Sequence, residues 1–187
     1  MRKAGSPLGK WWNAVFVLTA LLVIAADQLS KLWIRSYSEG QIIFEAGFLR
    51  ITHIHNTGAA FGLFQNQNFP LTIIAFVGII LILLYFFLVP RHFKLLDTRL
   101  SKVALGLILG GTIGNLIERL RFVFDSSAGS LIDRLHMGYV TDFIDVSIWP
   151  TFNIADSALV VGVILFACLF ALSTGVKKPS QSEVPEQ

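Results

Sequence analysis

Residues 51–90 form a stretch of 40 positions without one Asp, Glu, Lys or Arg, and three further charge-free runs, 11–26, 103–117 and 157–176, are 15 to 20 residues long. About 20 consecutive apolar residues cross the hydrocarbon core of a bilayer as a helix. No water is present there to satisfy backbone groups, so such segments must close their hydrogen bonds internally, as helices do. The 40-residue stretch is too long for one crossing. Its first part, 52–68, is filled with His, Asn, Gln and Gly, and Pro70 suits the first turn of a helix that starts there. The expected spans are therefore about 12–34, 71–89, 101–120 and 154–174. Composition agrees: 54% of residues are hydrophobic and 14% charged, against about 25% charged in soluble domains. That balance excludes a disordered chain and makes a soluble enzyme a poor fit. The single Cys168 excludes a disulfide scaffold.

Four spans place both termini on one side. Residues 1–11, the 91–102 loop and the 175–187 tail carry nine Lys and Arg against three acids, and the other side carries six against nine. The basic side is expected to be cytoplasmic. The net charge of +3 thus reads as loop charge and not as a nucleic-acid surface. Cleaving the first run as a signal peptide would leave three spans and the wrong loop charge balance, so it is read as a span. One membrane domain over 12–174 is expected, between a cytoplasmic N-terminal tail (1–11) and a disordered cytoplasmic C-terminal tail (175–187) with Pro179 and Pro185.

Two extracytoplasmic segments remain, 36–69 and 121–153. In the first, residues 41–44 and 48–55 mix β-branched and aromatic residues between Gly40, Gly47 and Gly58, which predicts a small sheet at the membrane surface. In the second, 122–139 scatters apolar residues among charges and predicts an interfacial helix or two, broken at Gly129. The fold class is an all-α membrane protein with four transmembrane helices, a small extracytoplasmic β-sheet and an interfacial helical segment. Gly106, Gly110, Gly111 and Gly114 give the third span small-residue spacings suited to close helix packing.

Carboxylates beside hydrocarbon are costly and usually have a partner or a task. Asp27 precedes Lys31 by four residues, a spacing that lets them pair on one helix face. Asn115 lies three residues before Glu118 on the third span. Asp142 (in YVTDFID) and Asp156 (in FNIADS) belong near the same membrane surface. Two carboxyls within hydrogen-bond distance share a proton, which supplies one base and one acid at neutral pH. Spacing alone leaves two alternatives open: Asp145 is an equally acidic neighbour, and Asp156 can cap the last helix. His53 and His55 can share a strand face, but without a third ligand they read as a surface pair. There is no H-E-x-x-H and no G-x-S-x-G.

Five blocks in order, DQLSK (27–31), NTGAAFG (56–62), GGTIGNLIER (110–119), VTDF (140–143) and FNIADS (152–157), resemble the bacterial lipoprotein signal peptidases, or signal peptidase II. The resemblance covers nearly all of the chain between the tails. It implies an aspartyl intramembrane protease of the bacterial cytoplasmic membrane, active at the extracytoplasmic surface. The implied substrates are prolipoproteins already carrying diacylglycerol on a Cys thiol, cut just before that Cys. It implies Asp142 and Asp156 as the catalytic pair, with Asp27, Lys31, Asn56, Asn115, Arg119 and Asn153 in support. Gly58 and Gly62 let the outer loop bend over the site. Two carboxyls and a water suffice, so no metal or cofactor is expected. The expected partners are the lipid-modified substrate and membrane lipid, with no nucleic acid and no oligomer implied.

The chain departs from the family pattern twice. Glu118 stands where the family has Asp, which suits an orienting role better than a catalytic one. Asn115 and Asp142 lie 27 residues apart, about fifteen more than the family spacing, which places an insertion near 120–135. Either Arg119 or Arg134 is then the family arginine. Arg119 is favoured because GGTIGN runs directly into it. Such an insertion can reshape substrate entry or disable the enzyme. A degenerate, non-catalytic scaffold and a small transporter using intramembrane acids are the competing readings.

Overall fold

The structure is a computed structural model that describes residues 7–58, 67–88, 98–125 and 129–174. The element order is α1 (Pro7–Ile34), β1 (Ile42–Ala46), β2 (Leu49–Asn56), α2 (Asn68–Leu88), α3 (Arg99–Asp125), α4 (Leu131–Met137), β3 (Val140–Asp145) and α5 (Ile154–Thr174). Stretches of α1, α2, α3 and α5 are long and apolar enough to cross a membrane. The expected architecture of four spans, a small sheet and a short helix is therefore present.

The element edges differ from expectation at the start of α1 and the end of α3. α1 starts at Pro7, so residues 7–11 are helical; Pro is at home in a first turn. α3 runs on to Asp125, so the first part of the insertion prolongs the third helix. The chain then turns through Gly129, whose φ of +74° is in the left-handed region glycine tolerates. It re-enters a helix at α4, where Ser130 and Asp133 form a capping box. The 175–187 tail and Gly62 lie outside the described residues.

The central helix is α3. It packs along both α1 and α5, and 56% of its most apolar stretch is buried, against 6% for α2. Glycines make this possible. A Cβ on Gly110 would lie 2.7 Å from the Val23 Cβ and 2.8 Å from the Ala20 carbonyl oxygen on α1. On the adjoining face, a Cβ on Gly114 would lie 2.7 Å from a carboxylate oxygen of Asp27 and 3.2 Å from the Ala155 Cβ. Small residues let helix backbones approach where no hydrophobic force drives them together. Phe16, Ala20, Leu105 and Leu109 form the buried apolar cluster between α1 and α3. Cys168 is exposed on α5.

The sheet has order β1-β2-β3, all antiparallel. The hairpin β1–β2 turns at Gly47, with φ +61°. The third strand comes from the second polar segment and pairs Ile54 with Asp142 and His55 with Thr141. The sequence reading assigns no strand to Tyr139–Asp145. Its alternating β-branched and aromatic residues are a strand signal. β3 lies beside the start of α5, and this brings the two polar blocks around Asp142 and Asp156 together.

Candidate active site

Asp27 and Lys31 begin the site from α1. Both are fully buried, and Lys31 Nζ meets Asp27 Oδ2 at 2.9 Å. The pair is not isolated. Asp27 Oδ1 accepts from the Ala155 backbone N at 3.0 Å, in the first turn of α5. Lys31 Nζ also donates to Asn115 Oδ1 on α3 at 2.9 Å. Three helices are thereby fixed at one level, and a buried charge is matched on every side, as its desolvation requires.

Asn115 passes the network on. Its Nδ2 donates to Asp156 Oδ1 at 2.7 Å, and its Oδ1 accepts from Asn153 Nδ2 at 3.2 Å. Asn153 Nδ2 donates also to Asp142 Oδ1 at 2.6 Å. Asn153 caps α5: its Oδ1 accepts from the Asp156 N at 2.9 Å, and Asp156 Oδ2 accepts from the Asn153 N at 3.2 Å. Asp156 thus takes part in the cap of α5, as one of the two sequence readings has it. Asn56 Nδ2 donates to the other oxygen of Asp142 at 2.8 Å, and Asn56 Oδ1 accepts from the Gly58 N at 2.9 Å. Asp142 and Asp156 are therefore joined through Asn153 and through Asn115.

Asp142, on β3, is 1% exposed. Burial is the largest effect pushing its carboxyl up, to about 7, and the Asp156 charge adds to it. Hydrogen bonds from Asn56 and Asn153 and the Lys31 charge pull the other way. A carboxyl in this state exchanges a proton near neutral pH. Asp145 faces elsewhere, in an ion pair with Arg50 at 3.1 Å.

Both acids line one cavity of about 500 Å³. Its polar wall includes Asn56, Asn115 and Arg119, and its apolar wall includes Val140, Trp149, Phe152, Val160 and Val161. Of the two arginines, Arg119 lines the cavity, donating to Asn68 Oδ1 at 2.8 Å and to the Gly58 carbonyl oxygen at 3.1 Å. Arg134 donates to the Val123 carbonyl oxygen at 3.0 Å and is not among the lining. No described residue from 120 to 139 lines the cavity, so the described part of the insertion is set apart from it.

Sequence reasoning missed Asn68. It is fully buried at the start of α2 and joins Arg119 to the Leu135 carbonyl oxygen, to which its Nδ2 donates at 2.7 Å. An amide beside Pro70 at the edge of a span was the available signal. It also missed Trp149 and Pro150 in the cavity wall. His53 and His55 do share a face, with ring centroids 4.9 Å apart, but His53 is 5% exposed and so not a surface residue. Its Nδ1 lies 2.8 Å from the Tyr37 carbonyl oxygen.

Fold and site together define a four-span membrane protein that holds two carboxyls, linked through asparagines, on one largely apolar cavity. Comparison with known proteins specifies the class. The model of the family "Signal peptidase (SPase) II" matches residues 19–172, and the chain belongs to that peptidase family. It is 43% identical over 171 residues to a lipoprotein signal peptidase of Dehalococcoides mccartyi, covering 91% of this chain and 97% of that protein. It is 41% identical over 162 residues to the lipoprotein signal peptidase of Moorella thermoacetica, covering 86% and 95%. Among solved structures, a bacterial membrane enzyme determined by the in meso method at 2.3 Å superposes with a TM-score of 0.73 at 30% identity, covering 92% of this chain and 95% of that one.

Proposed function

We propose that this protein is an aspartic endopeptidase of the bacterial cytoplasmic membrane that removes signal peptides from prolipoproteins, cutting just before the diacylglyceryl-modified Cys. The observation that carries the reading is the placement of Asp142 and Asp156 on one cavity, joined through Asn115 and Asn153. Family membership supports the peptidase part, and the relatives' shared name supports the substrate.

The chemistry follows from two carboxyls sharing one proton. At neutral pH Asp142 carries it, consistent with its raised pKa, and Asp156 is the base. Asp156 takes a proton from a water, whose oxygen attacks the scissile carbonyl carbon. Asp142 gives its proton to the carbonyl oxygen. On collapse the C–N bond breaks, the proton held by Asp156 goes to the departing amine, and the diol hydroxyl returns its proton to Asp142, which restores the acid pair. Asn56 and Asn153 hold Asp142 while it acts. Arg119, with Asn68 and Gly58, fixes the neighbouring wall. The Asp27–Lys31 pair sets α1, α3 and α5 at a common height behind the acids. The apolar wall, with Val160 and Val161 on a span, suits acyl chains that arrive laterally from the bilayer. The charge balance of the loops supports cytoplasmic termini and an extracytoplasmic site.

The test is cleavage by the purified full-length protein of one prolipoprotein with and without its diacylglycerol, with mass spectrometry of the products. Cleavage of the lipid-modified form alone, immediately before the modified Cys, is expected. Equal cleavage of both forms, or cleavage elsewhere, contradicts the proposed specificity.

A further inference from the structure

Asp142 sits on β3, the edge strand of the sheet, so only β2 holds it through a full strand pairing. The opposite edge is fastened at two points. Beyond Asp142, the Phe143 and Ile144 backbone N–H groups donate to the Phe152 carbonyl oxygen at 3.1 and 2.8 Å, and the Phe152 N–H returns a bond to Ile144 at 3.0 Å. Before Asp142, the fastening comes from a side chain. Glu118 Oε2, on α3, accepts from Thr141 Oγ1 at 2.8 Å, and the Thr141 N–H approaches the same oxygen at 3.4 Å. Glu118 Oε1 accepts from Arg35 Nη1 at 2.5 Å, just past the end of α1. Glu118 is 4% exposed and Thr141 fully buried. Neither lines the cavity. Successive side chains on a strand point to opposite faces, so Thr141 is held from behind while Asp142 faces the reaction space.

We propose that Glu118 is a positioning residue for the acid pair: held in place by Arg35, it grips Thr141 and thereby fixes the height and rotation of β3 at Asp142. The inference rests on the functional reading above. Glu118 does not touch the cavity, so its effect is on the placement of Asp142 and not on substrate binding. A displacement of about 1 Å in a reacting group can cost on the order of 100-fold in rate.

The test compares wild type with Thr141→Val, Thr141→Ser and Glu118→Gln on a diacylglyceryl-modified prolipoprotein, with kcat, KM and melting temperature read for each. Thr141→Val keeps the β-branched shape and removes only the donor. Its kcat is expected to fall about 10- to 100-fold with KM within about twofold of wild type, and Thr141→Ser is expected to restore kcat. Glu118→Gln leaves every Thr141 atom in place and puts an amide before Arg35. Its kcat is expected to fall with KM held, and it carries the test if the valine variant does not fold. A folded Thr141→Val with wild-type kcat overturns the inference. So does a loss of rate that serine fails to restore, which marks a purely structural contact. Failure of the wild type itself to cleave defeats the functional reading, and this inference with it.

Discussion

Asp142 combines burial, a neighbouring carboxylate and two amide donors in one side chain, and each has a measurable consequence. Its carboxyl is pushed up to about 7, so its proton is lost as pH rises through that value, and with it the acid of the proposed mechanism. The rate of cleavage is therefore expected to fall on the alkaline side of about pH 7, and a pH–rate profile on a lipid-modified substrate checks it. The same shift acts on stability. The folded protein binds this proton more tightly than the unfolded chain, whose Asp titrates near 3.8, so the contribution is full below about pH 4 and is lost as pH rises through about 7. The gap corresponds to on the order of 4 kcal/mol. Asp142→Asn removes the titration, and is expected to raise the melting temperature relative to wild type more at pH 8 than at pH 5. Lys31→Met acts in the opposite direction. It leaves Asp27 fully buried without its cation, and a loss of about 3–5 kcal/mol is expected, read from thermal melting.

Among the elements, α3 makes the molecule possible by being thin where its neighbours cross it. Gly110→Val puts a branched side chain into the Val23 and Ala20 contact, and a loss of about 1–3 kcal/mol is expected in melting experiments. The four spans were legible because hydrocarbon enforces a simple rule, an apolar run of bilayer length. The glycines of α3 were legible for a related reason, since helices in lipid associate by close approach. The two acids were legible only as candidates, because spacing does not reveal that Asn153 and Asn115 join them. β3 carried a local strand signal, but its pairing was not legible. It is 6 residues long, and its partner β2 is 84 positions away at the Asn56–Val140 pair. No local pattern encodes such a pairing. Glu118 could be read as an orienting residue from its extra methylene, but its partners Arg35 and Thr141 come from α1 and β3 and are visible only once these converge.

At the scale of the whole molecule, the sheet, α4 and the acid pair gather at one end of the helices. The opposite end holds the basic Lys102 and the start of α3. In the proposed topology, which the loop charges support, the basic end faces the cytoplasm. In a Cys168→Ser background, Glu39→Cys in intact cells is expected to react with a membrane-impermeant maleimide, and Gln181→Cys only after the membrane is opened. The reverse pattern would invert the topology and remove the site from the face where a translocated substrate arrives. The most direct test of the acid pair is cleavage of a diacylglyceryl-modified prolipoprotein by purified wild type, Asp142→Asn and Asp156→Asn, each with its melting transition checked. Cleavage by wild type and a loss of about 1,000-fold or more in both folded variants is expected. Undiminished cleavage by either folded variant would show that the bond is broken by some other group.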